Sequence, residues 1–305
     1  MHANFGVCIF LLLGGIMEKI VVEVGSTCTK VDKFDGNNII HLNTVPIEFK
    51  RHFKIENKLY SKDIQKLISL VNSIKSNNIF VCGTSVFRQL KDSEKNDFLE
   101  YFKNKTGIEF NIISSEKENE YTVFGATKFV KEAVVFVGGG GSTEISYFNN
   151  GIKQMCNNKI GVMDILNEYP DLANDYATTS LEEIEEYISS KITVPDIKSD
   201  ILILAGGGHE YFARNSGIRF FENSLYNDKM APIMMDINTR IEDTRKYYTK
   251  ISLDNIRKRV DEPDWWYATR AMCAFVLVVA EKIGAKYIVP TDISMIHGIV
   301  NKKEE

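Results

Sequence analysis

The run Val134-Val135-Phe136-Val137, followed by Gly138-Gly139-Gly140-Gly141-Ser142-Thr143-Glu144, constrains this chain more than any other stretch. Four consecutive β-branched or aromatic residues predict a strand covered on both faces, because a half-exposed strand alternates apolar with polar side chains. The glycines that follow lack Cβ atoms. The backbone can therefore turn sharply there and bring its N–H groups against an anion, with the hydroxyls of Ser142 and Thr143 at the exit. A glycine-rich hairpin turn is the plainer reading of the same residues. A second copy of the pattern argues for more: Ile20-Val21-Val22-Glu23-Val24 is again an apolar strand and breaks at Gly25-Ser26-Thr27. Two strand-to-loop units of one design, each opening a half of the chain, predict a duplicated α/β domain with a cleft between two phosphate loops.

Composition narrows the ligand. With 305 residues, 44% hydrophobic and 26% charged, the chain is an ordinary globular sequence long enough for two domains. A net charge of -4 gives no basic surplus for nucleic acid, so an anionic ligand has to be held by a local site. The five cysteines (Cys8, Cys28, Cys82, Cys156, Cys273) are odd in number and lack CxxC spacing. They read as free thiols in a reducing compartment, which implies a cytoplasmic protein without a zinc site. The five histidines form no HxxxH or HExxH pair, which argues against a histidine-built metal centre. The apolar run Gly6 to Leu13 is too short to span a bilayer and has neither a preceding Lys or Arg nor an A-x-A site after it. The folded protein is expected to begin at Met17.

From Ile20 the pattern gives a hairpin closed at Gly25 to Lys30 and a third strand over Ile39 to Val45. Ser61 reads as the N-cap of a helix carrying Ile64, Leu67, Ile68 and Val71 at helical spacing, and the strand Ile79 to Cys82 follows. A polar turn, Gly83 to Arg88, leads to a helix ended by Thr106-Gly107, and the strand Phe110 to Ile113 leads to a helix from about Glu116 to Ala126. Past the glycine run, Asn149-Asn150-Gly151 marks a second hairpin. Helices are predicted over Ile160 to Tyr169 and Ser180 to Ile192. The strand Ile201 to Leu204 then breaks at a third glycine loop, Ala205-Gly206-Gly207-Gly208-His209. Tyr211 to Trp266 shows no clean period. A buried helix over Ala268 to Ile283, stopped by Gly284, a strand at Tyr287 to Val289 and a short helix at Met295 to Val300 complete the reading. The aromatic segment Tyr247 to Tyr267 supplies either core or an oligomer interface, and a homodimer is a candidate assembly.

Three ordered motifs resemble those of the Ppx/GppA exopolyphosphatase and guanosine pentaphosphate phosphohydrolase family, of the actin-like, ribonuclease H-like ATPase superfamily. Gly83-Thr84-Ser85-Val86-Phe87-Arg88 is similar to its T-S-A-x-R turn, Thr106 to Ser115 to its T-G-I-E run, and Gly139-Gly140-Gly141-Ser142-Thr143-Glu144 to its G-G-G-S-T-E. Ile160-Gly161-Val162 resembles its G-A-V, and Gly207-Gly208 its third loop. The resemblance implies two ribonuclease H-like domains, over 17–130 and 131–305, that hydrolyse a terminal phosphoanhydride with a magnesium ion in an interdomain cleft. It places the catalytic glutamate at Glu118, which would act as base toward a water. Gly25, Ser26, Thr27 and Cys28 of the first loop and Gly139, Gly140, Gly141, Ser142 and Thr143 of the second would donate to phosphate oxygens. Gly207 and Gly208 of the third would do the same, Arg88 would supply a planar fork and Lys30 further charge.

The sequence departs from that pattern at several points. Glu23 stands for the first-loop aspartate, and Val137, which cannot ligate magnesium, stands for the second. Glu144 is then the main acidic ligand, with Glu23 reaching the ion through water. The family's L-R-E-G becomes Met295-Ile296-His297-Gly298, and His209 replaces a loop threonine, where a local hydrogen-bonding role is the simplest expectation. The ligand is expected to be polyphosphate or a phosphorylated nucleotide such as guanosine pentaphosphate, with no nucleic acid or membrane partner. Two other functions fit parts of the sequence. The run Gly25 to Lys30 also resembles the G-S-T-x-T-K loop of activator and reactivase ATPases, which act as ATP-driven switches. Val137 suits a sensor that binds such ligands without turnover.

Overall fold

A computed structural model describes residues 18–25, 28–35, 38–47, 49–56, 58–226, 228–259 and 266–301. The apolar run before Met17 and the loop residues Ser26 and Thr27 lie outside the described residues. The chain packs as two compact units, one ending at Ser114 and one beginning at Ser115.

The first unit runs β1 (Lys19–Val24), β2 (Cys28–Phe34), β3 (Ile39–Pro46), α1 (Phe49–Glu56), α2 (Ser61–Ser73), β4 (Ile79–Gly83), α3 (Asp92–Thr106) and β5 (Phe110–Ile112), with a 3-10 turn at Ser85–Gln89. Its sheet order is β3-β2-β1-β4-β5. Strand β1 pairs antiparallel with β2 and parallel with β4, and β4 pairs parallel with β5. Val22, Val24 and Val81 pack with Leu67 and Val71 of α2 and with an aromatic group of Phe87, Phe98, Phe102 and Phe110. Neighbouring ring centroids in that group are 4.8 to 6.0 Å apart, the spacing of tilted and edge-on aromatic pairs. Helix α3 stops where Gly107 takes a left-handed φ of 73°, as its sequence predicts. Ser61 is the first helical residue of α2 and Tyr60 holds the cap position, with no side-chain cap bond.

The second unit runs α4 (Ser115–Ala126), β6 (Glu132–Gly138), β7 (Thr143–Asn149), β8 (Ile152–Asn158), α5 (Val162–Glu168), α6 (Leu181–Lys191), β9 (Ile201–Ala205), α7 (His209–Ser216), β10 (Phe221–Glu222), β11 (Ile233–Asp236), α8 (Ile237–Thr249), α9 (Leu253–Arg257), α10 (Thr269–Ile283), β12 (Tyr287–Pro290) and α11 (Met295–Asn301). Its sheet order is β10-β11-β12-β9-β6-β7-β8. The strands β8-β7-β6-β9-β12 repeat the order and directions of β3-β2-β1-β4-β5, antiparallel on one side of the first strand and parallel on the other. The duplication inferred from two strand-to-loop runs is therefore a duplication of topology, the arrangement of a ribonuclease H-like fold, with β11 and β10 added at one edge.

Alternate residues of the central strands face two cores, which is why β6 carries an unbroken apolar run. Val134, Phe136, Leu202, Leu204 and Ile288 pack against α5, α6 and α10. On the other face, Val135, Ile203, Ala205 and Val289 pack against Val123 and Ala126 of α4. Helix α4, which lies within the 17–130 stretch assigned to the first domain from the sequence, thus covers the second sheet. It is held there by α11. A Cβ on Gly298 would lie 1.8 Å from the carbonyl oxygen of Tyr121, and one on Gly125 would lie 2.9 Å from Cβ of His297, so the two helices meet backbone to backbone. In the stretch without a clean period, Tyr247 and Tyr248 are buried in their own unit and serve as core. We predict that Gly298→Ala destabilises the chain by about 3 kcal/mol or more, because backbone cannot yield as a side chain can. Urea denaturation measures this, and an unchanged midpoint would contradict the crossing geometry.

Candidate active site

The glycine run is a hairpin turn, so the plainer reading of its shape is the observed one. Gly138 pairs with Thr143, and the N–H of Gly139 donates to the carbonyl of Ser142 at 2.9 Å. The first unit closes its hairpin in the same way: Val24 pairs with Thr29, and the N–H of Gly25 donates to the carbonyl of Cys28 at 2.9 Å. Behind the second turn lies the start of α5. The N–H groups of Val162 and Met163 donate to the carbonyls of Gly139 (3.1 Å) and Gly140 (2.9 Å), and Thr143 Oγ1 donates to the carbonyl of Ile160 at 2.8 Å. Gly161 permits this approach, since a Cβ there would sit 2.5 Å from Gly139 O, Gly140 C and Gly141 N.

The carbonyls of Gly139, Gly140 and Ser142 are thus taken up by the protein, whereas of the turn's donors only the Gly139 N–H is. Gly140, Gly141 and Ser142 are exposed, and their N–H groups make no hydrogen bond among the described residues. None of the four glycines has a left-handed φ. Gly138 is required by the Phe136 ring, 2.7 Å from its ideal Cβ, and Gly139 by the Ser142 carbonyl, 3.0 Å away. Gly140 would meet nothing closer than Met163 at 3.5 Å, and Gly141 nothing within 4 Å. Folding therefore does not explain the last two glycines. Three successive uncommitted amides on an open turn suit an anion, and missing side chains give it room.

Glu118 sits in the first turn of α4, half-buried, and its carbonyl accepts from Thr122 Oγ1 at 2.9 Å. Its neighbour Asn119 is 2% exposed and donates through Nδ2 to Oγ of the fully buried Ser146 on β7, at 3.0 Å. Ser146 and Glu144 share a face of β7, two residues apart. The Asn119–Ser146 bond therefore fixes the start of α4 beside the face that carries Glu144. Val137, directly across from Glu144, is apolar and partly buried in the core under α4. Its Cγ1 lies 2.6 Å from the ideal Cβ position of Gly206, whose φ of 83° and lack of side chain accommodate it. Among the described residues no group of three or more His, Cys, Asp or Glu side chains is placed to hold a metal ion.

The third loop is committed differently. Asp292 accepts from the N–H of Glu210 (2.9 Å) and from that of Tyr211 (3.2 Å), so the protein's own carboxylate caps the start of α7 and leaves only the exposed Gly207 and Gly208 amides for a ligand. His209 does not form the local hydrogen bond expected of it. Its ring lies edge-on to Phe136 at 6.3 Å, and its Nε2 is buried with no partner. Burial, with the Arg240 charge, pushes its pKa down to about 4.

In the first unit, Glu23 pairs across the hairpin with the exposed Lys30, and Cys28 is a half-buried free thiol. Arg88 Nη1 donates to the carbonyl of Ile113 at 3.0 Å, which ties the 3-10 turn to the end of β5. The sequence reading missed Asp292, 82 positions from its partner Glu210, and Arg240, which lies in the stretch without a period.

Two predictions follow from this geometry. Gly141→Ala should leave stability within about 0.5 kcal/mol of the parent, whereas Gly161→Ala should lose about 2 kcal/mol or more because the turn must move; equal losses by urea denaturation would contradict the assignment. For His209 the unfolded ring takes up its proton near pH 6.5 and the folded ring near pH 4. The stability gained by keeping it neutral is complete above pH 6.5 and is lost as pH falls toward 4. The fall in stability between pH 7 and pH 5 should accordingly be smaller in His209→Phe, and an identical fall in both proteins would refute it.

Comparison with known proteins agrees with this architecture. Residues 54–252 match the model of the Ppx/GppA phosphatase family. The Ppx/GppA phosphatase of Aquifex aeolicus, type II variant, superposes with a TM-score of 0.74 at 17% identity, covering 93% of this chain and 98% of that one. An exopolyphosphatase from Cytophaga hutchinsonii gives 0.69 at 12% identity, covering 93% and 96%. Nucleoside triphosphate hydrolases from Neospora caninum give 0.56 at 9%, covering 93% and 92%. Identities this low carry the fold alone. No curated protein matched by sequence. The family match spans more than half of the chain and the fold agrees along nearly all of it: this chain belongs to the Ppx/GppA phosphatase family.

Proposed function

We propose that this protein hydrolyses the terminal phosphoanhydride of inorganic polyphosphate or of a polyphosphorylated guanosine nucleotide, releasing orthophosphate. The observation that carries the reading is the turn 139–142, whose exposed amides are uncommitted and whose last two glycines have no packing role. Family membership and the exopolyphosphatase among the similar structures support it. Phosphoryl transfer asks a protein for positioning, charge neutralisation and an aimed water. The amides of Gly140, Gly141 and Ser142 bind non-bridging oxygens of the terminal groups. Glu118 takes a proton from the attacking water. The new P–O bond forms as the bridging P–O bond breaks, and the electron pair leaves on the shortened chain. Gly139 and Thr143 shape the turn, Gly207 and Gly208 offer further amides, and Gly25, Ser26, Thr27, Cys28, Lys30 and Arg88 of the first unit are additional phosphate-binding candidates, each testable singly.

Magnesium binds through one or two carboxylates together with substrate phosphates and water. Glu144 offers one carboxylate beside the turn, and the residue across from it, Val137, offers none. Glu23 is the second acidic candidate. A single carboxylate at Glu144 fits an ion that would arrive with the phosphates and neutralise their charge. The free thiols and the reaction suit a cytoplasmic protein. Among the described residues no helix is long and apolar enough to cross a membrane. Val137 is the one residue behind a second reading, a sensor that binds the same ligands without turnover, which family membership does not favour.

One panel separates them. Phosphate release from tripolyphosphate, long polyphosphate, guanosine pentaphosphate and ATP, with and without magnesium, should show turnover on at least one substrate. Glu118→Gln should lower it by about 10²- to 10⁴-fold while keeping ligand binding. Undiminished release in that variant would remove Glu118 from the mechanism, and binding without any release by the parent would select the sensor.

A further inference from the structure

Arg240, on α8, is 4% exposed, and among the described residues its side chain makes one hydrogen bond, from Nη2 to Sγ of Cys273 on α10 at 3.4 Å, a weak acceptor. Its Nε is buried without a partner. Among the described residues no carboxylate pairs with it: Asp243 is held by Arg219, whose N–H lies at 2.8 Å and Nε at 3.1 Å, and Asp236 accepts from Thr239 at 3.0 Å. Arg270, 1% exposed, also has a buried Nε without a partner, but its two Nη atoms are fully engaged. Its Nη1 and Nη2 donate to the carbonyls of Leu172, Asn174, Asp175 and Ile251 at 2.7 to 3.2 Å.

The surroundings of Arg240 are equally unfinished. Thr244 Oγ1, one turn along α8, is buried and unpartnered, as is Thr269 Oγ1, one turn before Cys273 on α10, and these two helices pack together. His209 Nε2, close enough to feel the Arg240 charge, is the third such atom, and it lies 3.6 Å from the ideal Cβ position of Gly207 in the third glycine loop. Buried polar groups normally find partners, and an unpaired buried charge costs several kcal/mol. Thr244 and Thr269 each lie one helical turn from the Arg240–Cys273 contact, so a cation and two hydroxyls without partners adjoin where α8 packs on α10, and with His209 they form a set of donors complementary to an oxyanion.

We propose that Arg240, Thr244, Thr269 and His209 form a binding site for a small tetrahedral oxyanion of the orthophosphate class beneath the third glycine loop, built from residues other than those of the 139–142 turn. The site takes either free orthophosphate or the end group of a bound phosphate chain. It stands independently of the hydrolase reading, because an anion can be bound there whether or not the protein turns substrate over.

Isothermal titration of the full chain with inorganic phosphate, and separately with tripolyphosphate, in a chloride-free neutral buffer tests it. Phosphate should bind the parent at least tenfold more tightly than it binds Arg240→Met, and Thr269→Val should weaken it severalfold. Without phosphate, Arg240→Met should be no less stable than the parent, since it removes an uncompensated charge. Glu118→Gln should bind phosphate like the parent, which separates this site from the chemistry. A loss in Arg240→Met confined to tripolyphosphate would overturn the free-phosphate arm and leave the end-group arm. Equal affinity of the parent and Arg240→Met for both ligands would overturn the site. If Arg240→Met does not fold, Arg240→Lys and Thr269→Val give the reading, and parent-like affinity in both overturns it.

Discussion

The start of α5 drawing in the carbonyls of Gly139 and Gly140 is the contact on which the rest depends. A four-residue turn has donors and acceptors to place, and buried or crowded backbone groups have to be paired. Here the carbonyls of Gly139 and Gly140 are satisfied from within, through a helix start that comes close only because residue 161 has no side chain. What remains for an incoming molecule is a row of donors. The chemistry of the turn is thus decided one layer behind it, in Gly161, Val162 and Met163.

The same logic of close backbone approach carries the acid side of the site. Glu118 owes its place to a helix clamped at two points, by the Gly125 and Gly298 crossing with α11 and by the Asn119–Ser146 bond to β7. Both points are free of long flexible side chains, which keeps the helix start in one position. Opposite Glu144, Val137 trades a carboxylate for a packing contact with Gly206. On the proposed function, that exchange would leave a cation to be held by the phosphate chain more than by the protein. It also marks how this chain differs from the pattern its motifs resemble.

Strands and hairpins were legible because their signals are local: an apolar run, then Gly-Ser-Thr or Asn-Gly. Helix α8 was not legible, because the residues it buries include Arg240, Asp243 and Thr244, so no hydrophobic period marks its inner face. Its start was nevertheless written in Asp236, which accepts from the N–H of Thr239 as an N-cap. The motif resemblance singled out Glu118 and the glycine turn, but it could not separate the glycines that packing requires, 138 and 139, from the two that it does not. Nor could it see that Asp292 closes the start of α7, since nothing near residue 210 in sequence announces a partner so distant. The position of α4 on the second sheet is likewise a matter of tertiary packing, invisible to a reading that places helices by chain order.

The most direct test is a titration of ¹⁵N-labelled protein with tripolyphosphate, followed at the backbone amides. Large, saturable shifts are expected at Gly140, Gly141 and Ser142, with Gly139, whose N–H is already bonded across the turn, moving least of the four. Binding that leaves the first three amides unmoved would contradict anion binding by the turn.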